Sequence, residues 1–427
     1  MAASVASEAA ALLSRTSRAE WISAITLIVG ALSHEYFHLN LGVRLFTPAI
    51  QILAYPLSAI TYNLFFHPLK HYPGPRAHAA TSIPWGLSLL RGRLPADVLS
   101  LHEAYGPVVR IRPNELAFAN APAWQDIYGH KVAGKRAGLA PGVKELPKYQ
   151  LFYKAHPRQP SSLVTALQDD HSKWRRITAP GFSDKSLKGQ EPLVMRYVDL
   201  LMMRLKERTG EVVDLMVWYN WTTFDIIGNL AFGGSFGCLE QVKYHPFIDR
   251  VCKSLRQSSR LVLIRYMGLQ RLAYFALSIL FRKGFVVRNV GGDTLKKRLE
   301  NKEPRPDLVE PLIQAKDEGL LDQATLSTMA TGFLLAGSET TASSLSGVTW
   351  LLLSNPDKLE KLTREVREAF KEESDINFSS VQCLEYTLAC LNESLRLYPP
   401  IAMGLPRQVP EGGAVISGGY VPEGVSG

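Results

Sequence analysis

Apolar positions fall into three patterns along this chain. From Leu45 to Phe66 they form a 22-residue run, LFTPAIQILAYPLSAITYNLFF, without one charged side chain. A helix of that length spans a hydrocarbon core of about 30 Å, and membranes tolerate kinks such as Pro48 and Pro56 would give. An earlier run, Trp21 to Leu32, is too short to cross alone. No small-residue cleavage site follows it, so a removed signal peptide is not expected. Between Gly106 and Asn120 the period is two: Val109 and Ile111 alternate with Arg110 and Arg112, and Pro113-Asn114 marks the turn of a β-hairpin. Beyond it the spacing approaches 3.6, predicting helices over Glu191–Leu205, Thr222–Ala231, Asp322–Leu353 and Lys358–Phe370. Asp322 caps the third, and Ser354-Asn355-Pro356 ends it. After Gly412 the chain turns glycine-rich, with Val415, Ile416 and Val421 between the glycines, which predicts short strands and tight turns.

These patterns divide the chain into an anchor region, 1–72, and a globular body, 73–427, joined at the stiff Pro73-Gly74-Pro75. Arg44 before the apolar run, with Lys70, His71 and Arg76 after it, turns the body towards the cytosol. With 427 residues, 46% of them hydrophobic, the body can bury a large core. The net charge of +9 is diffuse, and its longest basic cluster is Lys296-Lys297-Arg298. That excludes a nucleic-acid binder and suits an anionic membrane or an acidic partner. Cys238, Cys252, Cys383 and Cys390 form no CxxC pair and no metal spacing, so no metal ligand is assigned. Cys383 and Cys390, seven apart, read as two buried small side chains. Arg256 to Phe285, apolar and basic together, reads equally as a membrane-surface helix or a buried helix pair.

Two segments carry chemistry. Ala336-Gly337-Ser338-Glu339-Thr340-Thr341 is a poor helical sequence at the centre of a long helix. Small residues at Ala336 and Gly337 let a flat ligand lie against the backbone, and Glu339 and Thr340 could relay protons to a bound oxygen species. The same residues would equally make a close helix crossing beside a solvated glutamate. Glu393-Ser394-Leu395-Arg396 sets acid and base one helical turn apart, ahead of the helix-ending Tyr398-Pro399-Pro400.

Taken in order, YNLFFHPLKHYPGP, HSKWRRITAPGFS, AGSETT, NPDKLEKLTREV, ESLRLYPP and LPRQVPEGGAVISGGYVPEG resemble the cytochrome P-450 family of haem-thiolate monooxygenases. The likeness is strongest to the membrane-anchored fungal members of secondary metabolism. It implies a mainly helical fold with small β-sheets, preceded by an N-terminal membrane anchor in the endoplasmic reticulum. It also implies haem, an apolar small-molecule substrate, and electrons from an NADPH-cytochrome P-450 reductase. By this resemblance Thr340 stabilises iron-bound oxygen and Glu339 feeds it protons. His171 and Arg175 hold one haem propionate, Arg407 meets the other, and Glu393 with Arg396 forms a buried ion pair.

The resemblance lacks one part. The family's loop of the form FxxGxRxCxG, which carries the thiolate, has no counterpart after Arg396, so the fold is expected to be incomplete at the C-terminus. AFGGSFGCLE, ending in Cys238-Leu239-Glu240, lacks the required arginine and second glycine. Two functions from different classes therefore stand: a monooxygenase hydroxylating or epoxidising an apolar molecule, or a truncated, inactive membrane-bound remnant or interaction protein. An isomerase or dehydratase variant is a third, and it too needs the iron.

Overall fold

The computed structural model describes residues 54, 56–129, 145–154, 160–246, 248, 259–269, 292–300 and 305–427. Residues 45–53 and 55 of the 45–66 stretch, and most of the 256–285 stretch, lie outside the described residues. The described end of the first is helical at 56–61 and continues as a π-helical turn, Tyr62–Phe66. Among the described residues no helix is long and apolar enough to cross a membrane.

Contacts divide the chain into two compact units, one of 1–152, 259–273 and 405–427, the other of 153–258 and 274–404. In the first unit the Pro73-Gly74-Pro75 connector runs beside a strand, with Arg110 N–H donating to Pro73 O at 2.8 Å. Gly74 is required there, because a Cβ would sit 2.6 Å from Arg110 O. Three helices follow, α1 (Arg76–Ala80), α2 (Ile83–Leu90) and α3 (Leu94–Tyr105). The expected hairpin is present as β1 (Val108–Arg112) and β2 (Glu115–Phe118), antiparallel with a bulge between Arg110 and Arg112. Its alternation does not sort inside from outside, since Val109, Arg110, Ile111 and Arg112 are all buried. Arg110 satisfies its guanidinium on Pro113 O at 2.8 and 3.2 Å, and Arg112 pairs with Glu115 under the Tyr266 ring, 3.7 Å away. After α4 (Ala121–Tyr128), the chain re-enters this unit as the hairpin β3 (Ala414–Ile416) and β4 (Gly419–Val421). Left-handed Ser417 and Gly418 make its tight turn.

The second unit is helical. It comprises α5 (Gln168–Thr178), α6 (Asp184–Lys206), α7 (Leu215–Phe232), α8 (Glu310–Asp317), α9 (Gln323–Leu353), α10 (Pro356–Ala369) and α11 (Glu385–Leu397). Its core gathers Trp174, Tyr197, Trp218, Phe224, Leu312, Leu326 and Met329 around α7 and the first half of α9. The α7 helix is apolar on nearly every side because α6, α9 and the short turn after Gly237 all pack on it. At its start Asp214 accepts the Met216 and Val217 amides; at its end Gly233 takes the left-handed cap.

Candidate active site

The Asp322 carboxylate accepts the Thr325 amide at 2.8 Å, and this cap starts α9 where the sequence places it. The helix then runs 31 residues through a segment poor in helix formers. A series of hydroxyls bonds back to carbonyls one turn earlier: Thr328 to Ala324, Thr331 to Ser327, Ser338 to Leu334 and Ser346 to Ala342, all within 2.6–2.8 Å. Of these, the Ser338 bond satisfies a hydroxyl that is fully buried.

Ala336, Gly337, Glu339 and Thr340 divide between two faces. Gly337 is at the crossing with α7, where an added Cβ would meet Ile227 Cδ1 at 2.8 Å. Of the two readings of this segment, the close helix crossing is the one Gly337 adopts: it lets two helices approach. The open face is one position round. Gly332, Ala336 and Thr340 recur every four residues, and among the described residues a Cβ at Gly332 would have no neighbour within 4 Å. Ala336 is exposed and Thr340 half-buried, with the Thr340 hydroxyl donating to Ala336 O. That hydroxyl keeps its lone pairs free for an incoming donor. Glu339, half-buried, stands one residue before it. Gly332 was missed at the sequence level, although its spacing of four from Ala336 was there to be read.

His171 and Arg175 are one turn apart on α5, His171 half-buried and Arg175 exposed. Between them Trp174 is buried, its indole Nε1 without a hydrogen-bond partner. Lys173 lies 4.7 Å over the Trp174 ring and donates to Leu320 O at 2.9 Å, two residues before the α9 cap. Phe182, just past the α5 terminus, meets Phe333 edge-on at 5.8 Å. These contacts tie α5 and the turn after it to the start and middle of α9.

Glu393 and Arg396 do form a pair, bidentate at 2.6 and 2.7 Å. They are not buried: the side chains are 54% and 66% exposed, which overturns the expected buried ion pair. The physical reason is local. Spacing of three on α11 brings the charges together, whereas α11 packs on α9 and α10 through the opposite side, where Ser394 is buried. Their mutual hydrogen bonds lower the Glu393 carboxyl and raise the Arg396 guanidinium from their ordinary values.

Arg407 belongs to the first unit. Its guanidinium donates to Leu146 O at 3.0 Å, reaches Glu145 at 3.9 Å and covers the Tyr128 ring at 5.6 Å. Lys148 is its partner across an antiparallel bridge. Burial, then the adjacent Arg407 charge, pushes the Lys148 amine down to about 8.

A family model for cytochrome P450 matches residues 78–426. The chain belongs to the cytochrome P450 family. It is 45% identical over 376 residues to the cytochrome P450 monooxygenase tpeC of Talaromyces stipitatus, covering 87% of this chain and 73% of that protein. It is 40% identical over 379 residues to the averantin hydroxylase of Aspergillus parasiticus, covering 87% of this chain and 74% of that one. Identity to the versicolorin B desaturase stcL of Emericella nidulans is 36% over 382 residues, covering 88% and 75%.

Membership of the cytochrome P450 family implies haem, electrons from a redox partner and a small-molecule substrate. In the second unit Gly332, Ala336 and Thr340 share one face of α9, with no described atom close in front of Gly332, and Arg175 is an exposed cation on α5. The axial sulfur is another matter. Cys238 is buried, and desolvation together with Asp225 pushes its thiol up to about 12, so it is no thiolate. Its peptide N–H and that of Leu239 bind the Asp225 carboxylate instead, at 3.1 and 2.9 Å. Cys383 is exposed in a 3-10 turn and Cys390 half-buried on α11, which corrects their reading as a buried pair. Cys252 lies outside the described residues.

Proposed function

We propose that this is the site of a haem-thiolate monooxygenase that hydroxylates or epoxidises an apolar small molecule in fungal secondary-metabolite biosynthesis. Oxygen activation is the chemistry haem supplies when bound, drawing electrons from an NADPH-cytochrome P450 reductase. The observation that carries the reading is the α9 face ending at Thr340, with no side chain among the described residues within 4 Å of a Cβ at Gly332. His171 and Arg175 hold a propionate carboxylate. Thr340, its own proton on Ala336 O, accepts a hydrogen bond from the oxygen side of the pocket, and Glu339 exchanges protons with solvent. The relatives' names, a hydroxylase and a desaturase among them, support oxidation of an unactivated carbon. Residues 45–66 anchor the chain in the endoplasmic reticulum with its body in the cytosol, a placement supported by the uncharged run and the cations that follow it.

A second reading, a haem-poor and catalytically silent membrane protein, is favoured by the surroundings of Cys238, Cys383 and Cys390. One measurement separates the two. The reduced, purified chain is exposed to carbon monoxide after haem loading. A thiolate-type difference band supports the monooxygenase, whereas a haem spectrum without thiolate character, or failure to take up haem, supports the silent reading. For the active reading, co-expression with a reductase is expected to yield oxidised product, and Thr340→Val is expected to divert most electron flow from product.

A further inference from the structure

We propose that the first unit binds a small hydroxyarene, one aromatic ring bearing a phenolic hydroxyl, in a cavity between α1, α2, α3 and β1. The cavity measures about 200 Å³. An apolar hole of about 150 Å³ already admits benzene, whereas pockets for drug-sized ligands start at about 300 Å³, so the volume suits one ring with a short substituent. The walls are mostly apolar. Trp85, Leu94 and Ile111 line it, 2%, 5% and 6% exposed, with Val98 and Leu101 beside them. The Trp85 ring is fixed in place: the Tyr266 ring packs against it at 5.1 Å, and the Arg112 guanidinium lies 4.9 Å from its centre. A flat ligand ring gains contact against such an indole.

The polar side chains on the wall are few, and most of them accept. His78 Nδ1 lies 2.9 Å from Ile111 O. A carbonyl only accepts, so Nδ1 carries the proton and Nε2 of the neutral ring is an acceptor. Asp97 takes the Ser88 hydroxyl on Oδ2 at 2.6 Å, while its Oδ1 stands 3.6 Å from Arg93, beyond hydrogen-bond length. The exposed Ser100 hydroxyl completes the set. An anionic ligand would face the Asp97 carboxylate, and a cationic one would meet Arg93 on the same group. A neutral ring that donates one hydrogen bond meets neither obstacle. All of these residues belong to the first unit, and none is assigned to haem.

Photolabelling of the purified full chain with 4-azidophenol tests it. Irradiation followed by peptide mass spectrometry is expected to place saturable adducts between His78 and Ile111. Competing p-cresol is expected to suppress them at concentrations where 4-methylanisole, which keeps the ring and loses the donor, does not. Leu101→Trp fills the cavity, and Asp97→Asn removes the carboxylate while keeping an oxygen for Ser88. Each is expected to reduce labelling several-fold with the far-UV circular dichroism unchanged. If Leu101→Trp does not fold, Asp97→Asn and the pair of competitors still decide. Adducts confined to other segments, labelling that never saturates, equal suppression by 4-methylanisole, or undiminished labelling in either folded variant overturns the proposal.

Discussion

Gly332 and Gly337 are five residues apart and have opposite duties. A methyl group at 337 would press on Ile227, whereas one at 332 meets open space. Gly337→Val is expected to cost about 1–3 kcal/mol by overpacking the crossing with α7. Gly332→Ala is expected to gain up to about 1 kcal/mol through helix propensity alone. Urea denaturation of both variants checks the pair, and equal effects would contradict the assignment of faces. Lys148 supplies a pH signature. Its folded-state amine is depressed to about 8 from an ordinary 10.5, so the unfolded chain holds more protons between those values. The burial penalty is complete below pH 8 and is relieved as pH rises towards 10.5. Lys148→Met is therefore expected to stabilise at pH 7 by about 1 kcal/mol after screening, with the difference shrinking by pH 10. The sequence shows small residues at 336 and 337, but a helical segment alone does not say which side its neighbour takes. That decision belongs to Ile227, more than a hundred residues away.

Helices announced themselves through caps and periodicity. Asp322 and Pro356 bracket α9 and the start of α10 because capping and proline chemistry act within a few residues. The same locality explains what could not be read. Glu393 and Arg396 meet because helical spacing brings them together, while their exposure depends on what packs over α11, which spacing does not encode. Glu393→Ala is accordingly expected to leave the thermal midpoint of this chain nearly unchanged, and a large drop would contradict the exposed geometry. The buried network at the end of α7 is the opposite case. Arg298 binds Asp307 at 3.0 Å and Glu310 at 2.6 Å, with the first two side chains 3% and 2% exposed. Arg305 adds bonds to Gly233 O and to the Asn229 side chain at 2.9 and 2.8 Å. Asp307→Ala leaves the buried Arg298 guanidinium to Glu310 and is expected to cost about 1–3 kcal/mol, measurable by chemical denaturation. Nothing in the spacing of Arg298 and Asp307 marked them, since the network closes only once α8 is docked.

For the molecule, family membership and helical class were legible from motifs in order, each weak singly. Less legible was which parts of the site this chain furnishes. The second unit carries Gly332, Ala336 and Thr340 on one helix face and an exposed Arg175, which the proposed function assigns to haem. The most direct measurement is haemin titration of the purified full chain, followed through the Soret band, for the natural sequence beside Gly332→Leu and Gly337→Val. A leucine at 332 fills the open strip without disturbing the core and is expected to weaken haem binding by about tenfold or more, equivalent to about 1.4 kcal/mol. The 337 variant is expected to lose stability first and to bind haem whenever it remains folded. Undiminished haem affinity in folded Gly332→Leu would contradict the placement of the cofactor on the Gly332–Ala336–Thr340 face.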